Sequence, residues 1–385
     1  GTTPSTKIPE YWNGNIPFVT PTDITALKRS NQIFLERTSK YLTESGLKSK
    51  GLKLVPKNSL LVTTRATIGE CAINRIAAAI NQGIVALIPR SNNIDIVFYY
   101  YLVRIMKPYL ESLAGGSTYR EISLKRLGEI YVPLPPLNEQ RKIARILSTI
   151  DGAIAKIDAI ISKVEKLRIA LLQYLMTHGI GHEEFKETEI GKMPKDWKVV
   201  RLSSVARIIM GQSPPSTTYN EEGKGLPFLQ GKAEFGRIYP FTRKYTTRPI
   251  KIAEKGDILI AVRAPVGDVN IAPFKVCIGR GLAAIRPLKD INTLYLLYYL
   301  AYSKSRLEVK ARGSTFKAIT KSDLENFAIA LPTLDEQEKI SSLLYNIDLL
   351  LINEERHRDF LRMLKEQLMN ILLTGRIRIK SLPID

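Results

Sequence analysis

The chain contains one long internal repeat. Three short motifs of its first half recur 197 residues later. The matched pairs are Gly116-Ser117-Thr118 with Gly313-Ser314-Thr315, Glu139-Gln140 with Glu336-Gln337, and Ile150-Asp151 with Ile347-Asp348. This period is far above the roughly 20 to 50 residues of solenoids and propellers. The repeat therefore predicts duplication of a whole globular domain with the helix that follows it, related by a pseudo-twofold axis.

The net charge of +20 is unevenly distributed along the chain. Residues 1–133 contain 17 Lys and Arg against 9 Asp and Glu, and residues 199–330 contain 21 against 10. The remaining residues contain 19 basic and 18 acidic side chains. Because each neutralised phosphate releases counterions, two basic modules on a neutral frame favour nucleic-acid binding over a generally basic surface.

The sequence also excludes several classes of protein. Cys71 and Cys277 occupy non-equivalent places in the two copies, and the three histidines are too few to indicate a zinc site. No apolar run approaches the roughly 18 residues of a membrane span, and no signal peptide is visible. We therefore expect a reduced, cytoplasmic protein with no metal site and no membrane contact.

The chain also lacks recognisable catalytic motifs. It has no phosphate-binding loop ending in Lys-Ser/Thr, no Asn-Pro-Pro-Tyr-like tetrapeptide and no Gly-rich cofactor turn. The Glu-x-Lys sequences at 184–186 and 308–310 lack the upstream Pro-Asp of a nuclease site. We expect no catalytic residue in this chain.

Short β-branched runs bounded by Gly, Pro, Asn and Asp open each copy and are typical of strands and turns. A tyrosine-rich stretch follows in both copies, at 98–102 and 295–300, and predicts a core helix rather than a base-stacking surface. The predicted fold class is α+β, with two similar domains joined by two long helices that form an antiparallel coiled coil. The predicted boundaries are domain 1–133, helix 134–180, domain 181–330 and helix 331–378.

The two copies are unequal. Phe18 matches Phe228 and Arg65 matches Arg263, so copy one carries 12 extra residues between those positions. The segment 23–53 that contains them has seven basic residues, and Lys57 follows closely, which predicts a variable, loop-rich specificity segment. Gly1 aligns with Gly211, and there is no initiator Met. We therefore expect a truncated or partly ordered version of a longer protein.

Each long helix begins with a capping residue, Asn138 or Asp335, followed by Glu-Gln. The apolar spacing of 3 and 4 residues continues past Val164 through Leu167, Leu171 and Tyr174, which indicates a coiled-coil seam. The predicted seam residues are Ile150, Ile154, Ile157, Ile161, Ile347, Leu351, Glu354, Arg358 and Leu361. Glu354 and Arg358 can pair at i and i+4; we favour a register-setting role over a loosely packed solvated stretch.

Candidate DNA contacts follow from residue type and position. The Gly-Ser-Thr turns offer hydroxyls and cations to phosphate, although they could equally cap the next helix. Arg65 and Arg263 end matching strands, whereas Asn81-Gln82 is replaced by Gly279-Arg280 at a framework turn. The predicted DNA-binding residues are Arg65, Thr67, Asn81, Gln82, Ser117, Thr118, Arg120, Arg263, Arg280, Ser314, Thr315 and Lys317.

Taken together, the sequence resembles the specificity subunit of type I restriction-modification systems. The resemblance covers the whole chain and rests on Pro133 to Gln140, Leu331 to Gln337, Thr64 to Gly69 and the Gly-Ser-Thr turns. No single motif is decisive, but their order, duplication and spacing are specific. The start of copy one is the main departure from the family pattern.

The resemblance implies a non-catalytic reader of double-stranded DNA with a bipartite, asymmetric site. It implies two methyltransferase subunits and restriction/translocase subunits as partners, with S-adenosylmethionine, ATP and Mg in those partners and no cofactor in this chain. Two alternatives remain open at this point: a free-standing DNA-binding regulator, and the recognition half of a split or fused adenine methyltransferase. A structural coiled-coil protein leaves the confinement of charge to the globular copies unexplained.

Overall fold

The computed structural model describes residues 1–29, 32–65, 67–115, 120–312 and 318–379. The chain forms two compact units, here called unit 1 (Gly1–Ala159 with Arg356–Asp385) and unit 2 (Ile160–Glu355). Each unit combines a globular α+β part with segments of both long helices. The predicted α+β class with two similar domains and long helices is confirmed.

Unit 1 contains two small sheets in its described residues. Its strands are β1 (Trp12–Val19), β2 (Phe34–Leu35), β3 (Lys40–Leu42), β4 (Leu60–Thr63), β5 (Cys71–Asn74), β6 (Ala79–Ile80) and β7 (Ile84–Leu87). Its helices are α1 (Pro21–Arg29), α2 (Glu44–Ser49), α3 (Ile96–Ile105), α4 (Lys107–Leu113), α5 (Leu124–Gly128) and the first part of α6 (Leu137–His178). The strand orders are β3-β1-β6 and β2-β5-β4-β7.

The tyrosine-rich helix α3 lies in the core of unit 1. Its N-cap Asp95 accepts a hydrogen bond from Phe98 N at 2.9 Å, which satisfies a donor of the first turn. Phe98 and Tyr101 are buried against strands β4 and β5. The predicted core role of these aromatic residues is confirmed.

Unit 2 has a larger set of strands in its described residues. They are β8 (Phe185–Thr188), β9 (Gly191–Pro194), β10 (Lys198–Arg201), β11 (Ala206–Met210), β12 (Tyr219–Asn220), β13 (Leu226–Leu229), β14 (Lys244–Thr246), β15 (Ile252–Ala253), β16 (Ile258–Ala261), β17 (Val269–Ile271), β18 (Val276–Ile278), β19 (Leu282–Pro287) and β20 (Ala328–Leu331). Its helices are α7 (Leu202–Val205), α8 (Thr293–Tyr302), α9 (Lys304–Arg312), α10 (Lys321–Glu325) and part of α11 (Leu334–Leu372). The strand orders are β11-β19-β16-β17, β12-β14-β13-β18-β15, β10-β20 and β8-β9.

The central strands of the two units match in register. Phe18 pairs with Ala79 in parallel β1 and β6, and Phe228 pairs with Cys277 in parallel β13 and β18. Unit 2 adds β11 beside β19 and pairs β10 with β20. The residues of unit 1 equivalent to β20, 131–134, form no strand in the described structure.

The segment 23–53 is more regular than expected. It contains most of α1, followed by β2, β3 and α2, so the description as loop-rich is wrong. The side chain of Thr43 caps α2 by accepting a hydrogen bond from Gly46 N at 3.1 Å. Local capping and pairing of β3 with β1 therefore give this basic segment a defined structure.

Segments of the two long helices run antiparallel within each unit. In unit 1, Asp151 pairs with Lys365 and Asp158 with Arg358, so residue numbers rise on one helix as they fall on the other. In unit 2, Arg168 pairs with Asp348, and Glu165 and Glu355 share one arginine, so the residue numbers again run in opposite directions. None of the helices in the described ranges is long and apolar enough to cross a membrane.

Burial follows the predicted coiled-coil seam near its centre and departs from it at one end. Ile154, Ile157 and Leu351 are buried, while Ile150, Ile161, Ile347, Glu354, Arg358 and Leu361 are half-buried. Leu167 and Tyr174 are 57% and 56% exposed, whereas Leu175 and Met176 are buried in unit 2. An α-helix drifts about 20° per heptad from a 3.5-residue repeat, so the buried face moves off a strict seam.

The predicted pairing of Glu354 with Arg358 is also wrong. Arg358 lies 3.6 Å from Asp158 on the facing helix segment of unit 1 and 3.1 Å from Asp359. Arg358 therefore pairs with Asp158 and Asp359 instead of Glu354.

Candidate DNA interface and domain anchors

Three chain segments meet where strand β4 of unit 1 ends. Thr64 N donates to Gly83 O at 2.8 Å, and Ile122 N donates to Thr64 O at 3.1 Å. These bonds bring together residues 64–69, 81–83 and 120–122, of which Ala66 is not described. We call this set the loop face of unit 1; it contains Arg65, Thr67, Asn81, Gln82 and Arg120.

Polar contacts hold several side chains of this loop face. Asn81 Oδ1 accepts from Gly83 N at 2.8 Å, and Asn81 Nδ2 donates to Thr3 Oγ1 at 2.8 Å. Thr3 in turn donates to Gln82. Arg120 Nη2 donates to Glu111 O at 2.8 Å. Thr67 is exposed, and its carbonyl accepts from Glu70 N at 3.3 Å.

Arg65 has a partner that its counterpart lacks. Its Nε lies 2.8 Å from Glu121 Oε1, and the two side chains are 47% and 39% exposed. The backbone of Arg263 pairs with Ala318, as the backbone of Arg65 pairs with Glu121. Ala318 carries no charge, and the guanidinium of Arg263 makes no ion pair with any described residue.

Unit 2 repeats the same arrangement of segments. Val262 N donates to Gly281 O and Ile319 N donates to Val262 O, each at 2.9 Å. Residues 262–267, 279–281 and 318–319 form the loop face of unit 2. It carries Arg263 and an exposed Arg280 whose guanidinium has no ion-pair partner among the described residues. The predicted residues Ser117, Thr118, Ser314, Thr315 and Lys317 lie outside the described residues.

A carboxylate holds two lysines beside each loop face. Glu70 pairs with Lys28 at 2.6 Å and also with Lys107, and Asp268 pairs with Lys232 at 2.6 Å and Lys304 at 2.7 Å. Burial alone raises the pKa of both carboxyl groups, but the lysine hydrogen bonds and charges bring each pKa below its ordinary value. Each pair of lysines thus fixes the position of the carboxylate and of the turn just before it in the chain.

The repeated Glu-Gln motif anchors each long helix to its globular part. Gln140 Oε1 accepts from Asp95 N at 2.8 Å, and Gln337 Oε1 accepts from Asn292 N at 2.8 Å. Both glutamines are fully buried. Their Nε2 atoms donate to Pro135 O and Pro332 O, respectively. Sequence reasoning identified the motif as a helix start and missed this anchoring role.

The prediction that Asn138 and Asp335 cap the long helices is wrong. Both residues lie inside the first turn, because the helices begin one residue earlier, at Leu137 and Leu334.

The glutamates of the motif hold chain segments beyond the helix ends. Glu139 accepts from Arg378 at 2.8 and 2.7 Å. Glu336 accepts from Trp197 Nε1 at 3.0 Å and from Ile180 N at 3.0 Å. The two equivalent carboxylates therefore both accept hydrogen bonds from residues outside their own helix, but from different partners.

A buried tyrosine, aspartate and cation form a second anchor in each unit. Tyr101 donates to Asp151 at 2.7 Å, and Asp151 lies 2.5 Å from Lys365. Burial raises the pKa of Tyr101 and lowers the pKa of Lys365. Sequence reasoning missed this cluster, although Asp151 belongs to the repeated Ile-Asp motif.

Unit 2 contains the equivalent cluster. Tyr298 donates to Asp348 at 2.8 Å, and Arg168 Nε donates to Asp348 at 2.5 Å. Arg168 and Lys365 are 197 residues apart, so the cation was duplicated with the rest of the anchor.

Two stretches of the chain, residues 1–166 and 194–359, match the family model of the type I restriction modification DNA specificity domain. Together they cover most of the chain. The protein belongs to this family. The specificity-domain matches include both loop faces and the starts of both long helices.

Relatives extend the similarity along the specificity subunit. The putative type I restriction enzyme MjaX specificity subunit of Methanocaldococcus jannaschii is 46% identical over 78% of this chain and 72% of its own length. The MjaIX specificity subunit of the same organism is 30% identical over 99% of this chain and 91% of its own length.

Solved structures agree with this assignment. A chain from a structural study of complex assembly and conformational transition of the type I R-M system is 30% identical, with a TM-score of 0.56 and 96% coverage of both chains. The S subunit from M. genitalium shares the fold, with a TM-score of 0.62, 17% identity and 94% coverage of both chains. The chain is therefore a DNA specificity subunit of a type I system, and the two alternative functions are not favoured.

Proposed function

We propose that each loop face reads one half of a bipartite, asymmetric site in double-stranded DNA. The observation that carries this proposal is that equivalent backbone segments present unequal side chains. Unit 1 offers Asn81, Gln82 and an Arg65 paired with Glu121, whereas unit 2 offers Arg280 and an Arg263 that faces alanine. Different side chains on equivalent backbone segments favour two half-sites of different sequence.

The side chains suit different base edges. Asn and Gln amides pair with adenine in the major groove, whereas Arg donates two hydrogen bonds to guanine. Arg65, Arg120 and Arg263 also suit phosphate oxygens, and Thr67 offers a hydroxyl to the backbone. We propose the same phosphate role for Ser117, Thr118, Ser314, Thr315 and Lys317.

We further propose that the subunit is not catalytic itself and recruits two methyltransferase subunits, and through them restriction/translocase subunits. S-adenosylmethionine, ATP and Mg belong to those partners in this scheme. Exposed apolar side chains on the long helices, including Leu167, Ile169, Phe360 and Met363, are suited to a protein partner. The two cysteines are free and buried, which agrees with a reducing cytoplasmic location.

The test is methylation mapping of the subunit co-purified with its methyltransferase. We expect modified adenines in two unlike half-sites separated by unspecified bases, because the two loop faces differ. An uninterrupted palindrome assigned to this subunit contradicts the proposal. Mapping with Gln82→Ala and Arg280→Ala, at equivalent exposed positions of the two units, should relax one half-site at a time; loss of discrimination in both halves from either change contradicts separate reading.

A further inference from the structure

Arg237 connects the globular part of unit 2 to both long helices. Its guanidinium lies 2.6 Å from Glu165 on α6 and 2.7 Å from Glu355 on α11, with Asp348 at 3.6 Å. The arginine side chain is 17% exposed and each glutamate is 34% exposed. One cation of the recognition domain therefore bridges carboxylates of two helices.

Unit 1 has glutamine at the equivalent position. Ile271 N donates to Ile238 O at 2.8 Å, and Ile73 N donates to Ile33 O at 2.9 Å in the matching strand. These bonds align Ile238 with Ile33, so Arg237 corresponds to Gln32. Gln32 is exposed and forms no hydrogen bond to a helix side chain in the described structure.

The helix residues of unit 1 are correspondingly changed. The positions equivalent to Glu165 and Glu355, 197 residues away, are Arg362 and Asp158. Arg362 lies 3.5 Å from Asp158, and Arg358 lies 3.6 Å from the same carboxylate. In unit 1 these charges therefore pair between the helix segments, and no described side chain of the recognition domain supplies a cation to them.

The junction is wider in unit 1 than in unit 2, where the cavity beside Arg237 has a volume of only 280 Å³. A cavity of 580 Å³ lies between the globular part and α6, lined by Gln32, Phe34, Ser148, Gly152 and Ala155 among others. A Cβ atom added to Gly152 would meet nothing within 4 Å. The position equivalent to Ala155 in unit 2 holds the larger Ile352, which packs against the core of that unit, whereas Leu349, the counterpart of Gly152, is exposed. Less side-chain volume thus fills this junction of unit 1.

We propose that Arg237 is a positioning residue that locks the recognition domain of unit 2 onto its helices, whereas the recognition domain of unit 1, which keeps the Gln140 and Tyr101 anchors but lacks this bridge, tilts slightly about them. If each recognition domain reads one half-site, as proposed above, the half-site bound by unit 2 is held at a fixed position relative to the helices of that unit. The half-site of unit 1 then accommodates small differences in the distance between half-sites. The arginine is suited to this role because it holds two carboxylates in fixed directions at once.

The direct test is amide hydrogen exchange of the free subunit, without DNA. The amides of Ile271 and Ile73 make equivalent hydrogen bonds beside Arg237 and Gln32, so each reports on its own junction. We expect slower exchange at Ile271 than at Ile73. Arg237→Gln should speed exchange at Ile271 about tenfold and leave Ile73 unchanged, because a tenfold change needs only the loss of a partly buried ion pair.

Matched variants separate the bridge from general destabilisation. Arg358→Gln removes a helix arginine of unit 1 and should leave Ile271 unchanged. Glu165→Gln with Glu355→Gln should speed exchange as Arg237→Gln does, and all three changes together should add nothing further. Unchanged exchange at Ile271 in a folded Arg237→Gln chain, or additive effects of the three changes, overturns the proposal. If Arg237→Gln does not fold, the glutamate pair provides the same comparison.

Methylation of sites with altered spacers tests the consequence for DNA. Wild-type complex should modify a site whose spacer differs by one base pair more weakly than the Arg237→Gln complex does, relative to the unaltered site. Equal discrimination by both complexes overturns the link between Arg237 and spacing. A palindromic wild-type site instead contradicts the proposed reading of two unlike half-sites. The hydrogen-exchange result does not depend on that outcome, because it is measured without DNA.

Discussion

Glu121 should weaken DNA binding by unit 1, because it occupies the guanidinium of Arg65. Replacing Glu121 with the alanine that unit 2 has at its equivalent position removes this competitor. The pair is exposed, so the change should alter the free energy of unfolding by no more than about 1 kcal/mol. The variant should therefore remain folded, and the change should appear in its affinity for DNA.

The size of the effect follows from counterion release. One additional phosphate contact steepens the dependence of log K on log salt concentration by about 0.9. Glu121→Ala should therefore bind the mapped DNA site more tightly at low salt, and lose about 3.5-fold more affinity than wild type between roughly 50 and 200 mM salt. Ala318→Glu should have the opposite effect, since the new carboxylate can pair with Arg263.

The assay is fluorescence anisotropy of a labelled duplex over a salt series. Glu129→Ala is the matched control: it removes the same charge from unit 1, at an exposed carboxylate with no ion pair among the described residues. Equal salt slopes for Glu121→Ala and Glu129→Ala refute a specific competition for Arg65. So does an unchanged slope for Ala318→Glu.

Three further predictions concern the anchors and the lysine pairs. Gln337→Met should lower the free energy of unfolding of unit 2 by about 1–3 kcal/mol in urea titration, because Asn292 N–H loses its buried acceptor; an effect equal to that of exposed Gln173→Met contradicts the anchor. Lys365→Met should cost about 3–5 kcal/mol by leaving Asp151 buried without a cation, and adding Asp151→Leu should recover part of that loss; no recovery contradicts the pairing. Because Glu70 and Asp268 have lowered pKa values when folded, their stabilising effect is present above the unfolded-state values of 4.5 and 3.8 and is lost as pH falls through the folded-state values. Glu70→Gln with Asp268→Asn should therefore flatten the acid limb of the urea midpoint plotted against pH, and an unchanged limb contradicts the prediction.

The repeat made much of the fold predictable from sequence. The ungapped recurrence of Glu-Gln and Ile-Asp predicted two domains, each followed by a long helix. This prediction succeeded because the motifs occupy the same structural positions in both copies. The burial of Tyr101 and Tyr298 followed from apolar helix patterning. Regular periodicity failed for Leu167 and Tyr174, where a domain core rather than the facing helix sets the buried face.

The candidate site was less accessible to sequence reasoning. The meeting of residues 64–69 with 81–83 depends on backbone bonds between distant segments, which local patterns do not specify. The contrast between Glu121 and Ala318 could have been found, since they stand 197 residues apart beside the repeated Gly-Ser-Thr turns. Arg237 could not, because its counterpart Gln32 lies in a part of the chain where the two copies lose register.

Because the long helices join the two recognition domains, we propose that their length sets the distance between the two unlike half-sites. Removing one heptad from each long helix tests this proposal most directly. Residues 153–159 and the facing 357–363 of unit 1 can be deleted together, which keeps the seam in phase and retains Asp151, Lys365 and Glu355. The deletion shortens each helix by about 10 Å, or roughly three base pairs of DNA. Methylation mapping should then show both half-sites unchanged and the spacer shorter by about that amount. An unchanged spacer, or altered half-sites, contradicts the account.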